Sequence, residues 1–306
     1  MVAHSLSARA RLVSAYCADY PASLCDLPDA PYLFRVVGEL PPLDRALAIV
    51  GTRRADEEAL DFAYDLAREA ALRGVAVVSG GAVGIDRAAH EGAIDGGGRT
   101  VVVLPTGLDA PYPSANRKLF ERASESGCLL TEVDDGVPAQ KGRFLTRNRL
   151  VAALGQCTVV VQAPRRSGAL STARLARKLG RPVFSVPASP WDPKGSGNLK
   201  LLDEGARICA RPADVLSPSA SPGGDGVVSR AGQQRKPHDV SNLSQLDQTI
   251  LRSIAGRARH PDELCQRTGI PAFQVQQSIL RLLVRGLIEE RPGGRVRSCR
   301  AGEKPY

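Results

Sequence analysis

Short apolar segments alternate with longer amphipathic segments from residue 45 onward, and this alternation constrains the fold more than any other feature of the chain. The short segments are rich in β-branched residues and bounded by Gly or Pro, as buried strands are, at residues 46–50, 75–79, 100–104, 158–162 and 182–186. Helical spacing of apolar residues follows at 56–72, 84–94, 114–126, 144–154 and 170–179. Strands and helices that alternate at this spacing form βαβ units, so the sequence predicts an α/β fold with a doubly wound, mostly parallel sheet.

A segment rich in Ser, Pro and Gly separates this alternation from a smaller C-terminal region. Beyond it, residues 243–254, 260–268 and 271–285 have the features of helices, and residues 287–300 predict a hairpin that turns at a Pro-Gly-Gly sequence. Three helices followed by a hairpin are typical of a winged helix-turn-helix. The predicted organisation is a short N-terminal segment (1–44), an α/β domain (45–216), a flexible linker (217–240) and a winged-helix-like domain (241–306).

The charge of the chain indicates the kind of partner that it binds. Its 306 residues include 41 Lys and Arg against 32 Asp and Glu, a net charge of +9, and more than half of this excess falls on residues 241–306. Such an excess indicates nucleic acid or a membrane surface. The sequence has no apolar run long enough for a membrane helix, no signal-peptide pattern at its start and no C-x-x-C pair among seven scattered cysteines. These features favour a cytoplasmic protein with reduced thiols, which weakens the membrane alternative.

Four loops predicted at strand ends carry groups that suit an anionic ligand. The glycines of residues 79–86 let backbone N–H groups approach a phosphate where a helix begins. Residues 51–54 bring two guanidinium groups to a strand end, and residues 141–149 place four basic residues around one aromatic, as in sites for single-stranded nucleic acid. Residues 165–172 offer capping serines and N–H groups at a helix start. Because such loops meet at one edge of a parallel sheet, together they predict a shared phosphate-binding rim.

Each loop alone also has a purely structural interpretation. Residues 79–86 fit an ordinary strand-to-helix turn, residues 51–54 a solvated basic turn, and residues 165–172 a capped helix without a ligand, while Phe144 suits a core position equally well. Catalytic and metal-binding patterns are scarce: the four histidines are separated, and neither G-x-S-x-G nor a nucleotide-binding P-loop is present. The sequence therefore predicts binding without catalysis, and neither a metal nor a cofactor is expected.

The order of these motifs resembles the DNA-processing protein A family (DprA/Smf). The resemblance runs from Tyr20-Pro21 to about residue 216, and its specific elements are S-G-G-A-V-G-I-D at 79–86 and F-L-T-R-N-R at 144–149. It implies a Rossmann-like domain that binds single-stranded DNA and loads the RecA recombinase onto it during natural transformation, as a homodimer and without enzymatic turnover. The residues that it assigns to single-stranded DNA or phosphate are Gly51, Arg53, Ser79, Gly80, Gly81, Gly84, Lys141, Phe144, Arg147, Asn148, Arg149, Ser167, Gly168 and Thr172.

The resemblance also implies a role for each group of residues. Arg53 and loop 79–84 hold a backbone phosphate, Lys141 and Phe144 flank and stack on the strand, residues 147–149 complete a basic rim, and turn 167–172 closes the site. Three positions depart from the family pattern of Pro, Gly and Asn, namely Leu145, Ala188 and Leu199.

Two other classes of function stay open at this point. One is a nucleotide phosphoribohydrolase-like enzyme, which the fold and its phosphate-binding loops permit, although residues 167–172 lack the paired glycines and the following Glu of such enzymes. The other is a regulator of duplex DNA that acts through the winged helix, whose segments 272–285 and 291–300 carry basic groups suited to phosphate contact. For this tail we expect an accessory role.

Overall fold

The computed structural model describes residues 3–216, 243–254, 258–285, 287–291 and 293–298. These residues form two compact units, the first containing residues 3–10 and 36–216 and the second containing residues 11–35 and those from 243 onward. The predicted linker at 217–240 lies outside the described residues. The domain boundaries drawn from the sequence stay predictions, and the two units divide the residues before 45 between them.

The helices and strands follow the predicted alternation in the α/β part of the chain. The strands are β1 (Arg11–Ser14), β2 (Leu33–Gly38), β3 (Leu47–Val50), β4 (Val77–Ser79), β5 (Thr100–Val103), β6 (Gly127–Thr131), β7 (Cys157–Val160), β8 (Val183–Ser185), β9 (Arg207–Ile208), β10 (Ile288–Arg291) and β11 (Arg295–Ser298). The α-helices are α1 (Ala3–Ala8), α2 (Glu57–Leu72), α3 (Ile85–Asp95), α4 (Arg117–Ser126), α5 (Lys141–Leu154), α6 (Gly168–Lys178), α7 (Ser196–Asp203), α8 (Ala213–Leu216), α9 (Gln245–Ser253), α10 (Pro261–Thr268) and α11 (Ala272–Val284).

A mostly parallel sheet forms the centre of the first unit, as predicted. From β2 onward its strands lie in the order β2-β6-β5-β4-β3-β7-β8-β9. Every neighbouring pair between β6 and β9 is parallel. The order runs outward in one direction from β3 to β6 and in the other from β7 to β9. This reversal makes the sheet doubly wound, and ligands of such folds bind at the carboxyl ends of the strands beside it.

The structure adds elements that the sequence pattern did not predict. Strand β6 contributes fully buried apolar residues beside β5, and β2 and β9 also extend the sheet. Helix α7 begins at Ser196, and its Asn198 side chain is buried between strand ends. The Asn198 amide donates to the carbonyls of Val160 and Val161 at 3.0 Å, and its oxygen accepts from the Ala163 N–H at 2.7 Å. Asn198, one position before the Leu199 that departs from the family pattern, therefore makes polar contacts between these strand ends.

The second unit is a winged helix, which confirms the predicted fold of the C-terminal region. Helices α9, α10 and α11 pack around a shared apolar core, and β10 and β11 pair as an antiparallel hairpin. Residues 11–35 belong to this unit, and both Tyr16 and Tyr32 donate from their hydroxyls to the Leu287 carbonyl, at 3.3 and 3.2 Å. Inside it, the buried carboxylate of Asp247 accepts hydrogen bonds from Ser278 and Arg281. Among the described residues of either unit, every helix is too short or too polar to cross a membrane.

Candidate nucleic-acid interface

The loops that the sequence singles out meet at the carboxyl edge of the sheet, beside the reversal of strand order. The Thr52 N–H, just after β3, donates to the Gln162 carbonyl after β7 at 2.7 Å. The Thr52 carbonyl accepts from the Ile85 N–H, at the start of α3, at 3.3 Å. Parallel strand ends and helix starts thus lie side by side here, which is where folds of this kind bind anionic ligands.

An aromatic and cationic cluster lies at the first of these loops. The Arg53 guanidinium carbon is 4.9 Å from the centroid of the Phe144 ring, and the Tyr112 ring meets Phe144 edge-on with centroids 5.6 Å apart. Arg53 is exposed, Phe144 is half-buried and Tyr112 is 42% exposed. Lys141 is exposed at the first residue of α5, about one turn before Phe144. We call Arg53, Tyr112, Lys141 and Phe144 the aromatic–cationic cluster.

Tyr112 is a member of this cluster that the sequence interpretation did not assign to the site. It lies in the Tyr112-Pro113 pair, which the family resemblance includes, but its position 32 residues before Phe144 hides their contact. The Tyr112-Pro113 dipeptide in a predicted loop is the sequence signal that could have identified it.

The glycines of loop 79–84 are needed for close packing as well as for backbone conformation. A Cβ on Gly80 would lie 2.4–2.6 Å from the Arg147 guanidinium, and Gly81 and Gly84 have φ of +66° and +84°. At Gly84 a Cβ would also lie 2.4 Å from the Thr52 carbonyl oxygen. A Cβ at Gly51 would meet Ile85 at 2.5 Å. These positions keep the two loops in contact and leave their backbones close to the sheet edge.

Arg147 lies inside the protein and braces the same loop. Its Nη1 donates to the Gly80 carbonyl at 2.5 Å and to the Val103 carbonyl. Burial lowers the pKa of Arg147 to about 10, although the carboxylate of Asp86 opposes this shift. Burial raises the pKa of Asp86, against the charge of Arg147 and a hydrogen bond from the Ala82 N–H. Arg147 therefore supports the ends of β4 and β5 through their carbonyls.

The two residues after Arg147 are also occupied by contacts within the protein. Asn148 is buried and donates to the Gly168 carbonyl at 3.3 Å, and Arg149 pairs with Glu132 at 2.7 Å. The family resemblance implies that residues 147–149 complete a basic rim; in the structure Arg147 and Asn148 are buried and Arg149 is partly buried, so their role at such a rim stays a prediction. These side chains face inward because α5 packs over β3, β4 and β5, where carbonyls and a carboxylate accept their hydrogen bonds.

Two predicted phosphate ligands with hydroxyl groups are buried as well. Ser79 donates to the Ile49 carbonyl at 2.6 Å, and Thr172 is only 2% exposed. Ser167 caps α6 by accepting from the Ala169 N–H at 3.2 Å, and Gly168 is exposed. Ser167 and Gly168 therefore reach the surface in the loop at 165–172. Ser79 and Thr172 are packed beneath the surface instead.

The described part of the chain brings no three His, Cys, Asp or Glu side chains together in a way that suits a metal ion. His90, four residues after the 79–86 motif, is fully buried in α3, and burial lowers its pKa to about 3. Its Nδ1 lies 2.7 Å from the Thr100 hydroxyl, whose proton is donated to the Val77 carbonyl at 3.0 Å. His90 is therefore a neutral core residue that links α3 to the sheet.

Comparison with known proteins identifies the family. A family model described as DNA recombination-mediator protein A matches residues 11–219, and one described as the DprA winged helix domain matches residues 234–294. A DNA processing protein DprA of Mycobacterium tuberculosis is 42% identical over 260 residues, which are 84% of this chain. The chain spans 65% of the length of that relative.

Two solved structures have the same fold. DprA from Streptococcus pneumoniae is 32% identical, with a TM-score of 0.64 over 70% of this chain and 76% of that one. DprA from Helicobacter pylori is 33% identical, with a TM-score of 0.62 over 67% of this chain and 93% of that one, and its structure concerns a single-stranded DNA binding mode. With both of its folded units matched in sequence, the chain belongs to the DNA recombination-mediator protein A family, also called DprA/Smf.

Proposed function

We propose that this protein binds single-stranded DNA at the candidate interface and loads the RecA recombinase onto the bound strand during natural transformation. Membership of a DNA-processing family supports this proposal, as does the relative from Helicobacter pylori whose structure describes single-stranded DNA binding. In the proposed mechanism the protein acts as a cytoplasmic homodimer and a recombination mediator. It holds the strand and exchanges it without making or breaking a covalent bond.

The observation that carries the proposal is the aromatic–cationic cluster. A single strand offers two kinds of group, phosphates that attract cations and unpaired bases whose faces stack on aromatic rings. Phe144 supplies a partly exposed ring, Arg53 places its guanidinium over that ring, and Lys141 adds an exposed cation at the start of the same helix. Tyr112 packs edge-on against Phe144 and fixes its orientation. Duplex DNA hides its base faces, so this arrangement favours the single strand.

The backbone of loop 79–84 supplies the second part of the proposed site. Gly80 and Gly81, which are buried, and Gly84, which is partly exposed, shape this loop at the sheet edge, and the N-terminus of α3 adds its partial positive charge. Arg147 holds this loop from behind through the Gly80 carbonyl. We assign the phosphate contacts to the backbone of the loop and to Arg53, and we assign Ser79, Arg147, Asn148, Arg149 and Thr172 to positioning.

Binding of a labelled oligothymidylate, followed by fluorescence anisotropy across a salt series, tests the site. We expect Phe144→Ala to weaken binding by about 1–3 kcal/mol without changing the salt dependence, since it removes stacking and no charge. Arg53→Ala and Lys141→Ala each lower the slope of log K against log salt by about 0.7 if each contacts one phosphate. The matched control is Arg73→Ala, an exposed arginine at the end of α2, just before the amino-terminal end of β4 and therefore away from the carboxyl edge. If Phe144→Ala, Arg53→Ala and Lys141→Ala all bind the strand as tightly as the wild-type protein and the control, the site is rejected.

Loading of RecA is tested with strand that is already coated by a single-strand binding protein. We expect the wild-type protein to shorten the lag before RecA filaments form on this DNA, and Phe144→Ala to restore the lag. Light scattering on the same samples measures the proposed homodimer. A lag that does not depend on this protein refutes loading, even where DNA binding is intact.

A further inference from the structure

The loop between β8 and α7 exposes an aromatic residue at the same edge of the sheet. Trp191 in this loop is 88% exposed, and it is the single tryptophan of the chain. Packing in the protein core does not account for a tryptophan at this position, because almost all of its side chain is exposed to solvent. The residues on either side of Trp191 in the sequence are Pro190 and Asp192, so Trp191 is not part of an apolar segment of the chain.

Contacts tie this loop to the turn that carries Arg53. The Lys194 ammonium pairs with Asp56, three residues after Arg53, and this hydrogen bond lowers the pKa of Asp56. Gln162, at the end of β7, donates to Asp56 at 2.7 Å and to Asp192 at 3.5 Å. In the sheet β8 is two strands away from β3, or roughly 10 Å at the usual strand spacing. The loop of Trp191 therefore lies along the same edge as the aromatic–cationic cluster.

The loop is held in one conformation by its own hydrogen bonds. The backbone N–H of Trp191 donates to the Ser189 hydroxyl at 3.3 Å, and the backbone N–H of Asp192 donates to the Ser189 carbonyl at 3.0 Å. The Lys194 N–H donates to the Asp192 carboxylate at 2.8 Å, and prolines at positions 190 and 193 restrict the backbone further. Trp191 is thus presented to solvent by an ordered turn, so little loop entropy is lost when a ligand stacks on it.

Two exposed arginines lie on the turn next to this loop. Arg165 and Arg166 are both exposed on the turn after β7, and the Arg165 N–H donates to the hydroxyl of Ser196 at the start of α7. An exposed aromatic ring with exposed arginines on an adjacent turn matches a nucleic-acid strand, whose bases stack while its phosphates meet the charges. The same surroundings do not suit an apolar protein partner, because charged groups would have to be buried against it.

We propose that Trp191 is a second base-stacking position for the single strand held at the aromatic–cationic cluster. The strand then crosses the carboxyl ends of β3, β7 and β8, with Arg165 and Arg166 beside its phosphates. This inference rests on the proposed function, because it extends the path of the same ligand.

Intrinsic fluorescence tests this position directly, since Trp191 is the only tryptophan. Titration with an unlabelled oligothymidylate of about 16 nucleotides, the upper end of common site sizes, is expected to quench its emission. The midpoint should match that measured by anisotropy with the labelled strand. A strand that carries bromodeoxyuridine should cross-link to Trp191 on irradiation, as located by mass spectrometry. Direct stacking predicts this cross-link, whereas an indirect change of emission does not.

Substitutions separate stacking from charge. Trp191→Ala should weaken binding roughly tenfold with an unchanged salt slope. Trp191→Phe should retain most of the affinity, because it keeps an aromatic face. Arg166→Ala should lower the salt slope by about 0.7. The control is Leu72→Ala at the end of α2, which removes an apolar side chain of 65% exposure away from both sites and should leave binding unchanged.

The possible results distinguish this inference from the proposed function. If the strand binds while Trp191→Ala keeps wild-type affinity and Trp191 emission is constant, the second position is refuted and the first site stands. If the wild-type protein does not bind the strand, both fail. If Trp191→Ala alters self-association but not DNA affinity, Trp191 is a protein contact and the inference is overturned.

Discussion

Replacing Arg147 tests whether this arginine braces the interface from inside rather than contacting DNA. Arg147→Ala removes a charged donor from the Gly80 and Val103 carbonyls and leaves the buried Asp86 without the charge that opposes its desolvation. Hydrogen bonds that involve a charged group each contribute about 1.5–3 kcal/mol, and Arg147 donates two of them to these carbonyls. These contributions overlap, so we expect the free energy of unfolding of the first unit to fall by about 4 kcal/mol.

Denaturant titration combined with hydrogen exchange measures this loss, with protection compared in the peptides of β4 and α3. The control is Arg87→Ala, an exposed arginine on α3 whose ion pair with Glu91 is worth only about 0.3–0.5 kcal/mol. Adding Asp86→Asn to Arg147→Ala should recover part of the loss, because it removes the uncompensated carboxylate. A loss below about 1 kcal/mol for Arg147→Ala, or normal protection of β4, would refute the bracing role.

Three further results are expected from other positions. Gly84→Ala should destabilise the first unit and weaken DNA binding, since φ of +84° and the Thr52 carbonyl at 2.4 Å leave no room for a Cβ; unchanged thermal unfolding and affinity would contradict this. The pKa of His90, about 3, lies below the usual value near 6.5, so the neutral ring is favoured on folding and stability should decline as the pH falls from about 6.5 towards 3. Its ring resonance in NMR spectra should stay constant down to about pH 5, and a titration near 6.5 would contradict its burial. Iodoacetamide at neutral pH should label the exposed Cys25 well before Cys209, because burial raises the pKa of Cys209 to about 12. Peptide mass spectrometry measures the two labelling rates, and equal rates would contradict this expectation.

The pattern of apolar residues was sufficient to predict the α/β core because each buried strand must be apolar on both faces. The five predicted strands and the helices between them all occur, with ends shifted by a few residues. Strands β2, β6 and β9 escaped prediction, and β6 directly follows α4 with no loop to mark it. Residues 11–35 look like an independent N-terminal segment, yet their tyrosines bond to Leu287, which lies more than 250 residues later. Contacts at such separation leave no local pattern.

The binding loops were predictable as a group, but not the role of each residue. Phe144 and Arg53 are brought together as their shared position at strand ends suggests, and Tyr112 joins them from a segment to which the sequence assigned no binding role. Lys141 and Arg147 lie on the same helix and have similar charge, yet one is exposed and the other buried. Helical periodicity alone does not predict burial of an arginine, since a buried cation ordinarily destabilises the fold.

By itself, then, the sequence determined the alternation of strands and helices, the placement of glycines and basic groups at one sheet edge, and the winged helix at the C-terminus. These follow from local periodicity and from the parallel direction of the strands. The tertiary structure alone decided which cations face solvent. Arg147 is buried because the ends of β4 and β5 offer carbonyls to its guanidinium and Asp86 lies close enough to act on its charge, whereas Arg53 lies over an aromatic ring at the surface. Residue type is the same for these two arginines. Their contacts with residues distant in the sequence determine that Arg147 supports the loop from inside while Arg53 stays at the surface, where a ligand can reach it.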